Sequence, residues 1–137
     1  MTMMLGDTNN KVNIISDPLR FDGTGGIHTI SIHMMNFTGR VYIQATLADQ
    51  PTDTDWFDIW LSQATPFLEY PMNKPLDTTY VPNNFSILPG FSGADACTIR
   101  GNFTFMRAKI DRTYLNYQPA SWESMSRLGV ITKIFHD

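Results

Sequence analysis

Three histidines are the first residues of this chain whose type could hold a metal ion or move a proton. His28 and His33 are five residues apart in a segment that alternates as a strand, so their side chains fall on opposite faces. His136 stands next to the end of the sequence. Because metal ligation needs several side chains that converge on one point, we interpret all three as ordinary histidines and expect no metal site.

An acidic stretch could supply oxygen ligands for calcium. It contains Asp49, Asp53 and Asp55, and Asp58 follows closely. Calcium binds carboxylate oxygens well, but this stretch lacks the glycine and the distal glutamate of an EF-hand loop. A solvated hairpin loop explains the stretch better, and we expect no cofactor.

The residue types that serve catalysis do not form a recognisable motif. No Gly-x-Ser-x-Gly sequence is present, and the two glutamates, Glu69 and Glu123, have no context that suits glycoside hydrolysis. The glycine-rich residues 23–26 match neither the phosphate-binding loop nor the dinucleotide fingerprint. Cys97 is the single cysteine, which excludes an intramolecular disulfide and disfavours a cysteine zinc site. We therefore predict no catalytic residues and a protein that is not an enzyme.

Aromatic side chains are the remaining chemical resource, and they concentrate in the middle of the chain. They can fill the core, anchor a protein interface or stack on sugar rings. Core filling is the first interpretation because most aromatics of a small domain are buried. An interface comes second and sugar binding third. A sugar site would use Trp56 or Trp60 beside Asp55 and Asp58.

The composition indicates which elements must position these residues. The chain has 137 residues, so we assign residues 1–137 to one domain. It is 42% hydrophobic and carries a formal net charge of −3, which excludes global disorder and a strongly basic nucleic-acid binder. We expect no direct nucleic-acid partner. No segment reaches about 18 consecutive apolar residues, so we expect no membrane span. No signal-peptide pattern is present, so we expect the protein to be made in a cytoplasm.

Alternation of apolar and polar residues with period 2 predicts strands rather than helices. The clearest segments are residues 27–35, 40–48, 102–112 and 128–135, with further strands at 12–16, 19–22 and 56–61. The link Asn36-Phe37-Thr38-Gly39 predicts a hairpin between the first two. Five prolines predict that residues 62–93 are a loop-rich insertion. Residues 1–9 are expected to form an extended N-terminal arm. The predicted fold class is all-β, a single antiparallel β-sandwich or jelly-roll-like domain with a long Pro-rich loop region.

Two segments carry a resemblance to a known family. Residues 39–47 read Gly-Arg-Val-Tyr-Ile-Gln-Ala-Thr-Leu, and after Pro51 residues 55–59 read Asp-Trp-Phe-Asp-Ile. Residues 101–110 read Gly-Asn-Phe-Thr-Phe-Met-Arg-Ala-Lys-Ile. This pattern resembles a β-sandwich module of virion structural proteins from tailed bacteriophages of the marine and cyanobacterial type. The resemblance covers about half of the chain.

The resemblance implies a non-enzymatic virion protein, made in the host cytoplasm, that decorates a capsid or belongs to a neck, tail, baseplate or fibre. Its partners would be other virion structural proteins and copies of itself, bound through protein–protein contacts in a homo-oligomeric assembly. The alternative is a carbohydrate-binding β-sandwich module that attaches to host-surface glycans. For the contacts we expect apolar residues of the N-terminal arm, of the Pro-rich middle and near the C-terminus: Met3, Met4, Leu5, Phe67, Tyr70, Phe91 and Trp122.

Overall fold

The structure, a computed structural model, describes residues 2–6, 13–21, 26–61, 65–70, 90–113 and 129–137. These ranges contain ten strands and a single turn of 3₁₀ helix at Asp53–Asp55. The strands are β1 (Thr2–Leu5), β2 (Asn13–Ile15), β3 (Leu19–Arg20), β4 (Ile27–Phe37), β5 (Gly39–Thr46), β6 (Phe57–Asp58), β7 (Leu68–Tyr70), β8 (Phe91–Arg100), β9 (Phe105–Asp111) and β10 (Val130–His136).

The strands form two antiparallel sheets that pack face to face as a sandwich. Sheet A has the strand order β1-β10-β4-β8. Sheet B has the order β2-β9-β5-β6, with β3 also paired to β9 and β7 also paired to β5. The predicted all-β sandwich is confirmed.

The core lies between the sheets and is filled by the inward side of four long strands. Its fully buried members come from both sheets: Ile30, Ile32, Val41, Ile43, Met106, Ile110, Ile131 and Ile134. Intervening positions such as Thr29 and Lys109 face outward, which is the alternation that the sequence predicts for these strands. Burial of the apolar side, at about 25 cal/mol per Å², provides the main drive for the two sheets to pack.

The chain crosses from one sheet to the other at residues 37–39, where the sequence predicts a hairpin. β4 belongs to sheet A and β5 to sheet B, so the hairpin prediction is wrong. Asn36 has a φ of 52° and Gly39 a φ of 155°, and these two residues redirect the chain. Phe37 and Thr38 between them are buried. Because Phe37 enters the core, the link between β4 and β5 is buried rather than an exposed turn.

Two glycines from neighbouring strands pack against the backbone of Asn36. Gly90 precedes β8 and Gly129 precedes β10, and a Cβ on either would overlap the Asn36 carbonyl group. The Gly90 N–H donates to Asn36 Oδ1 at 2.9 Å, and the Asn36 N–H donates to Ser92 Oγ at 2.9 Å. Gly129 also has a φ of 70°, which disfavours any side chain. Three strands of sheet A therefore meet at one point that has no room for a Cβ.

Three other elements differ from the sequence prediction. The expected N-terminal arm contains strand β1, which pairs with β10. β8 was not expected, because its Ser, Gly and Ala residues have weak strand propensity; its nine paired positions on β4 explain why it forms. The strand expected at residues 56–61 is reduced to Phe57–Asp58. Of the loop-rich insertion, residues 65–70 and 90–93 are described and contain β7 and the start of β8.

We predict that Gly129→Ala lowers the free energy of unfolding by about 2 to 4 kcal/mol, because it adds both a left-handed strain and an overlap with Asn36. Gly6→Ala is the matched control, since its nearest neighbour is Met3 Sδ at 3.8 Å, and it should change stability by less than about 0.5 kcal/mol. Urea unfolding measures both. Equal stability of the two variants would contradict the close packing at Asn36.

Candidate functional site

The N-terminal contact residues predicted from sequence divide between the surface and the core. Met3 is 54% exposed on β1. Met4 and Leu5 are buried in the core of their own domain, because the pairing of β1 with β10 turns them inward. The prediction that Met4 and Leu5 contact a neighbouring subunit is therefore corrected: they stabilise the sandwich itself.

Tyr70 is also a core residue rather than a contact residue. It is fully buried, and its hydroxyl donates to Asp95 Oδ2 at 3.0 Å. Burial, together with the Asp95 carboxylate, raises the pKa of Tyr70 well above its ordinary value. Phe91 packs against Tyr70 with ring centroids 5.4 Å apart and is only partly exposed. The expected contact residue Trp122 lies outside the described residues.

Phe67 belongs to a set of stacked side chains on the outer face of sheet B. Its ring lies 4.3 Å from the Arg40 guanidinium carbon and 5.4 Å from the Tyr42 ring. Arg40 Nε donates to Glu69 Oε1 at 2.9 Å. Lys109 Nζ lies 5.2 Å from the Tyr42 ring centroid. Phe67 is thus held within its own domain on one side by a cation and on another by an aromatic ring.

A second stacked set covers Trp56, the first candidate for sugar binding. Arg107 lies 4.0 Å from the Trp56 ring centroid, a cation–π contact. Arg107 Nε donates to Gln44 Oε1 at 2.8 Å, and Gln44 Nε2 donates to Asp58 Oδ1 at 2.8 Å. Burial lowers the pKa of the Arg107 guanidinium, and the Asp53 carboxylate opposes that effect. Trp56 and Asp58 are engaged with protein groups and do not form an open sugar platform.

The acidic stretch connects β5 to β6 as a hairpin loop, which confirms that interpretation. Asp55 Oδ2 accepts hydrogen bonds from the Thr52 N–H at 2.7 Å and the Thr52 hydroxyl at 3.0 Å, so it caps the 3₁₀ turn. Among the residues that the structure describes, no three His, Cys, Asp or Glu side chains are grouped as metal ligands.

The histidines are placed partly as the sequence predicts. His28 and His33 fall on opposite faces of β4, with His28 buried and His33 on the outer side. His136, which sequence reasoning left as an ordinary terminal residue, lies against His28 inside the sandwich. The burial of both histidines could have been predicted from the alternation of β4 and β10. His28 has the parity of the core residue Ile30, and His136 has that of the core residue Ile134.

Cys97 offers no reactive thiolate at neutral pH. Burial, with a smaller effect of Asp95, raises the pKa of its thiol to about 11. A thiol with such a pKa stays protonated and is a weak nucleophile.

The outer face of sheet A exposes three large apolar side chains, and two of them, Ile27 and Met35, lie near opposite ends of β4. Met3, Ile27 and Met35 expose 54%, 55% and 63% of their surface. In the row that begins with Met3, the opposite residues are Phe135 on β10, then Ser31 and Ala96. Residues opposite one another share a face of the sheet, so a ridge formed by Met3 and Phe135 stands beside a flat strip formed by the small residues Ser31 of β4 and Ala96 of β8.

Few charges interrupt this face. In the described strands its charged members are Lys133 and Arg100, and both are positive. Lys133 Nζ lies 5.3 Å from the Phe135 ring, and the His33 ring meets Phe135 edge-on at 5.6 Å. We call the face formed by Met3, Ile27, Met35, Phe135 and Lys133, with their β8 neighbours, the sheet A surface.

No protein-family model, no curated protein and no solved structure matches this chain. Within the ranges that the structure describes, no helix has the length and apolar character needed to cross a membrane. The sheet A surface is the candidate site on which a functional proposal can be built.

We predict that Arg107→Ala lowers the free energy of unfolding by about 1 to 2 kcal/mol, because it removes the contact with Trp56 and the hydrogen bond to Gln44. Arg107→Lys keeps a cation near the ring and should lose about half as much. Urea unfolding followed by tryptophan fluorescence measures both. If the alanine variant has the stability of the wild type, the stacked set does not brace sheet B.

Proposed function

We propose that this chain is a non-enzymatic structural protein of a tailed-bacteriophage virion that acts through protein–protein contacts in a multi-copy assembly. The sheet A surface supports this proposal, because Met3, Ile27 and Met35 are each more than half exposed along it. Methionine and aromatic side chains are enriched at protein interfaces, whereas acidic side chains are depleted there. A flat strip beside a ridge also suits the close approach of another protein surface.

The contrast between the two outer faces supports the choice of sheet A. On sheet B the aromatic rings are covered by cations of the same domain, as Trp56 is by Arg107 and Phe67 by Arg40. On sheet A the Phe135 ring also has a cation beside it, but the aliphatic side chains Met3, Ile27 and Met35 keep more than half of their surface in solvent. The binding energy of an interface comes mainly from a few such residues at its centre.

The charge of the chain favours a further copy as the partner. The sheet A surface carries Lys133 and Arg100, whereas the whole chain has a net charge of −3. The loop between β5 and β6 exposes Asp49, Asp53 and Asp55, so a second copy can offer an acidic surface. A contact between two different surfaces of the same chain is heterologous, which builds rings or filaments.

The assignment to a virion rests on the resemblance described above. Its segments fall on β5, on the loop and strand β6, and on β9, which are neighbours in sheet B. They supply the buried side of that sheet, while the proposed contacts lie on the other sheet. Family resemblance and contact surface are therefore independent supports.

We expect the double variant Ile27→Thr with Met35→Gln to fold with stability within about 1 kcal/mol of the wild type, because both side chains are exposed. Its self-association should weaken by about tenfold or more, as for loss of central interface residues. Sedimentation velocity over a concentration series measures association. High salt should also weaken association of the wild type.

Leu47→Gln is the matched control, because Leu47 is 67% exposed but follows β5 in sheet B. It should associate as the wild type does. A double variant that associates like the wild type would contradict the role of the sheet A surface. Absence of the chain from purified particles of the phage that encodes it, examined by mass spectrometry, would contradict the virion assignment.

The exposed aromatic residues near β6 favour carbohydrate binding as a second candidate. Trp60 is 64% exposed and Phe57 is 43% exposed. Stacking of a sugar ring on an exposed indole is a common mode of glycan recognition. On this hypothesis the wild type binds host polysaccharides on a glycan array and Trp60→Ala loses that binding. An array without any bound glycan would exclude the hypothesis.

A further inference from the structure

His28 and His136 form a buried pair at one end of the sandwich, although they are 108 residues apart in sequence. His28 Nδ1 lies 2.8 Å from His136 Nε2, and His28 Nε2 lies 2.9 Å from the carbonyl oxygen of Gly101. The two residues are only 3% and 9% exposed. One histidine ring therefore links the end of β10 to the turn that follows β8.

Aromatic rings from the opposite sheet enclose the pair. The Phe21 ring lies 5.1 Å from the His28 ring and 4.6 Å from the His136 ring. Phe103, in the turn before β9, lies 5.6 Å from His28. The histidine pair thus sits where strands of sheet A meet residues that flank sheet B, and it closes this end of the core.

The hydrogen-bond partners determine where the protons are. A carbonyl oxygen only accepts, so His28 Nε2 must carry the hydrogen that is shared with Gly101. In the neutral pair His28 Nδ1 then has a lone pair, and His136 must donate through its Nε2–H. One added proton fits at His136 Nδ1 without loss of this bond. A second would place hydrogens on both facing nitrogens, and the bond would be replaced by repulsion between two cations.

We propose that the His28–His136 pair is a proton-operated latch, which at neutral pH reinforces the backbone hydrogen bonds of Asp137 with Thr29 and of Gly101 with Gly26, and which is lost in mild acid. The latch joins three segments through two side chains and one carbonyl group. Its release would loosen the strand end at His136 and open the core beside Phe21. This device goes beyond the proposed assembly function and does not depend on it.

The charged groups around His136 act in the direction that the latch needs. Burial lowers the pKa of His136, and the neighbouring His28 and the N-terminal amino group lower it further. The carboxylate of Asp137 opposes these effects without reversing them. The folded chain therefore favours neutral His136.

The sign of the pH effect follows from proton linkage. Histidine in an unfolded chain has a pKa of about 6.5, so just below that pH the unfolded state binds more protons at His136 than the folded state does. The stabilisation from keeping His136 neutral in its buried site is fully present above about pH 6.5 and is lost as the pH falls toward the lowered pKa of His136, while the bond itself breaks only when a second proton enters the pair. Each excess proton in the unfolded state reduces the folding equilibrium constant tenfold per pH unit, which equals about 1.4 kcal/mol.

The test compares urea unfolding of the full chain at several pH values between about 7.5 and 5.5, where the histidine term operates. The variants are His136→Gln, which removes the titrating ring, and His33→Gln, which removes the one histidine outside the latch. We expect the free energy of unfolding of the wild type and of His33→Gln to fall in parallel as the pH is lowered. For His136→Gln, the folding equilibrium constant should fall less steeply, by a factor of up to about ten per pH unit. Parallel profiles for wild type and His136→Gln would overturn the proposal.

A second measurement on the wild type covers the case in which His136→Gln does not fold. Long-range ¹H–¹⁵N NMR reports which imidazole nitrogens carry hydrogen. At neutral pH we expect hydrogen on Nε2 of both His28 and His136, in agreement with the two hydrogen bonds. Hydrogen on Nδ1 of His28 at neutral pH, or two fully protonated rings in a chain that stays folded, would overturn the latch.

Discussion

The close packing at Asn36 is the constraint on which the rest of the structure depends. At this residue β4 leaves sheet A, and the chain passes through Phe37 into β5 of sheet B. Gly90 and Gly129 approach the Asn36 carbonyl so closely that neither can carry a side chain. Because these glycines precede β8 and β10, the same contact sets the position of both neighbours of β4. The crossing therefore creates two layers and aligns three strands of one of them.

The two layers then use their outward side chains differently. On sheet B, cations lie over aromatic rings, and the acceptors of Gln44 and Glu69 fix the guanidinium groups of Arg107 and Arg40. These contacts hold neighbouring strands together. Through them, a chain with only 17% charged residues places charged side chains over the rings of this sheet. On sheet A, the exposed apolar side chains Met3, Ile27 and Met35 stand among small and polar ones, and β8 offers almost only small ones. The aromatic rings of one face are thus covered by cations of the domain, whereas the other face keeps large aliphatic side chains in solvent.

Alternation predicts those parts of the fold in which a strand has one apolar side. The strands of the core residues Ile30, Ile43 and Ile110 are found where the sequence places them. Alternation does not say whether consecutive strands pair or cross, which is why the link at Phe37 was predicted as a hairpin. It also carries no signal for β8, whose Gly and Ala residues form a strand only because β4 supplies hydrogen-bond partners.

The candidate contact residues show a related limit. Hydrophobicity alone marked Met4, Leu5 and Tyr70 as surface anchors, yet the pairing of their strands turns them into the core. Met3 stays outside because its parity on β1 is opposite to that of Met4, and a register shift between Met3 and Leu5 turns Leu5 inward as well. Ile27 and Met35 were absent from the expected contacts, although they have the parity of Thr29, which alternation places on the outer side of β4.

The histidine pair and the Asn36 crossing close opposite ends of the same three strands. β4 has His28 near its start and Asn36 near its end, β10 begins after Gly129 and ends at His136, and β8 begins after Gly90 and ends before Gly101. At one end the contact is made by backbone atoms and by glycines, so its strength does not change with protonation. At the other end two imidazoles and a carbonyl oxygen add to backbone hydrogen bonds such as those of Thr29 with Asp137, so the part that the imidazoles supply changes where histidine titrates. The sandwich is consequently fixed at the crossing and adjustable at the latch, and any opening of the core in mild acid should begin at the end where β10 finishes.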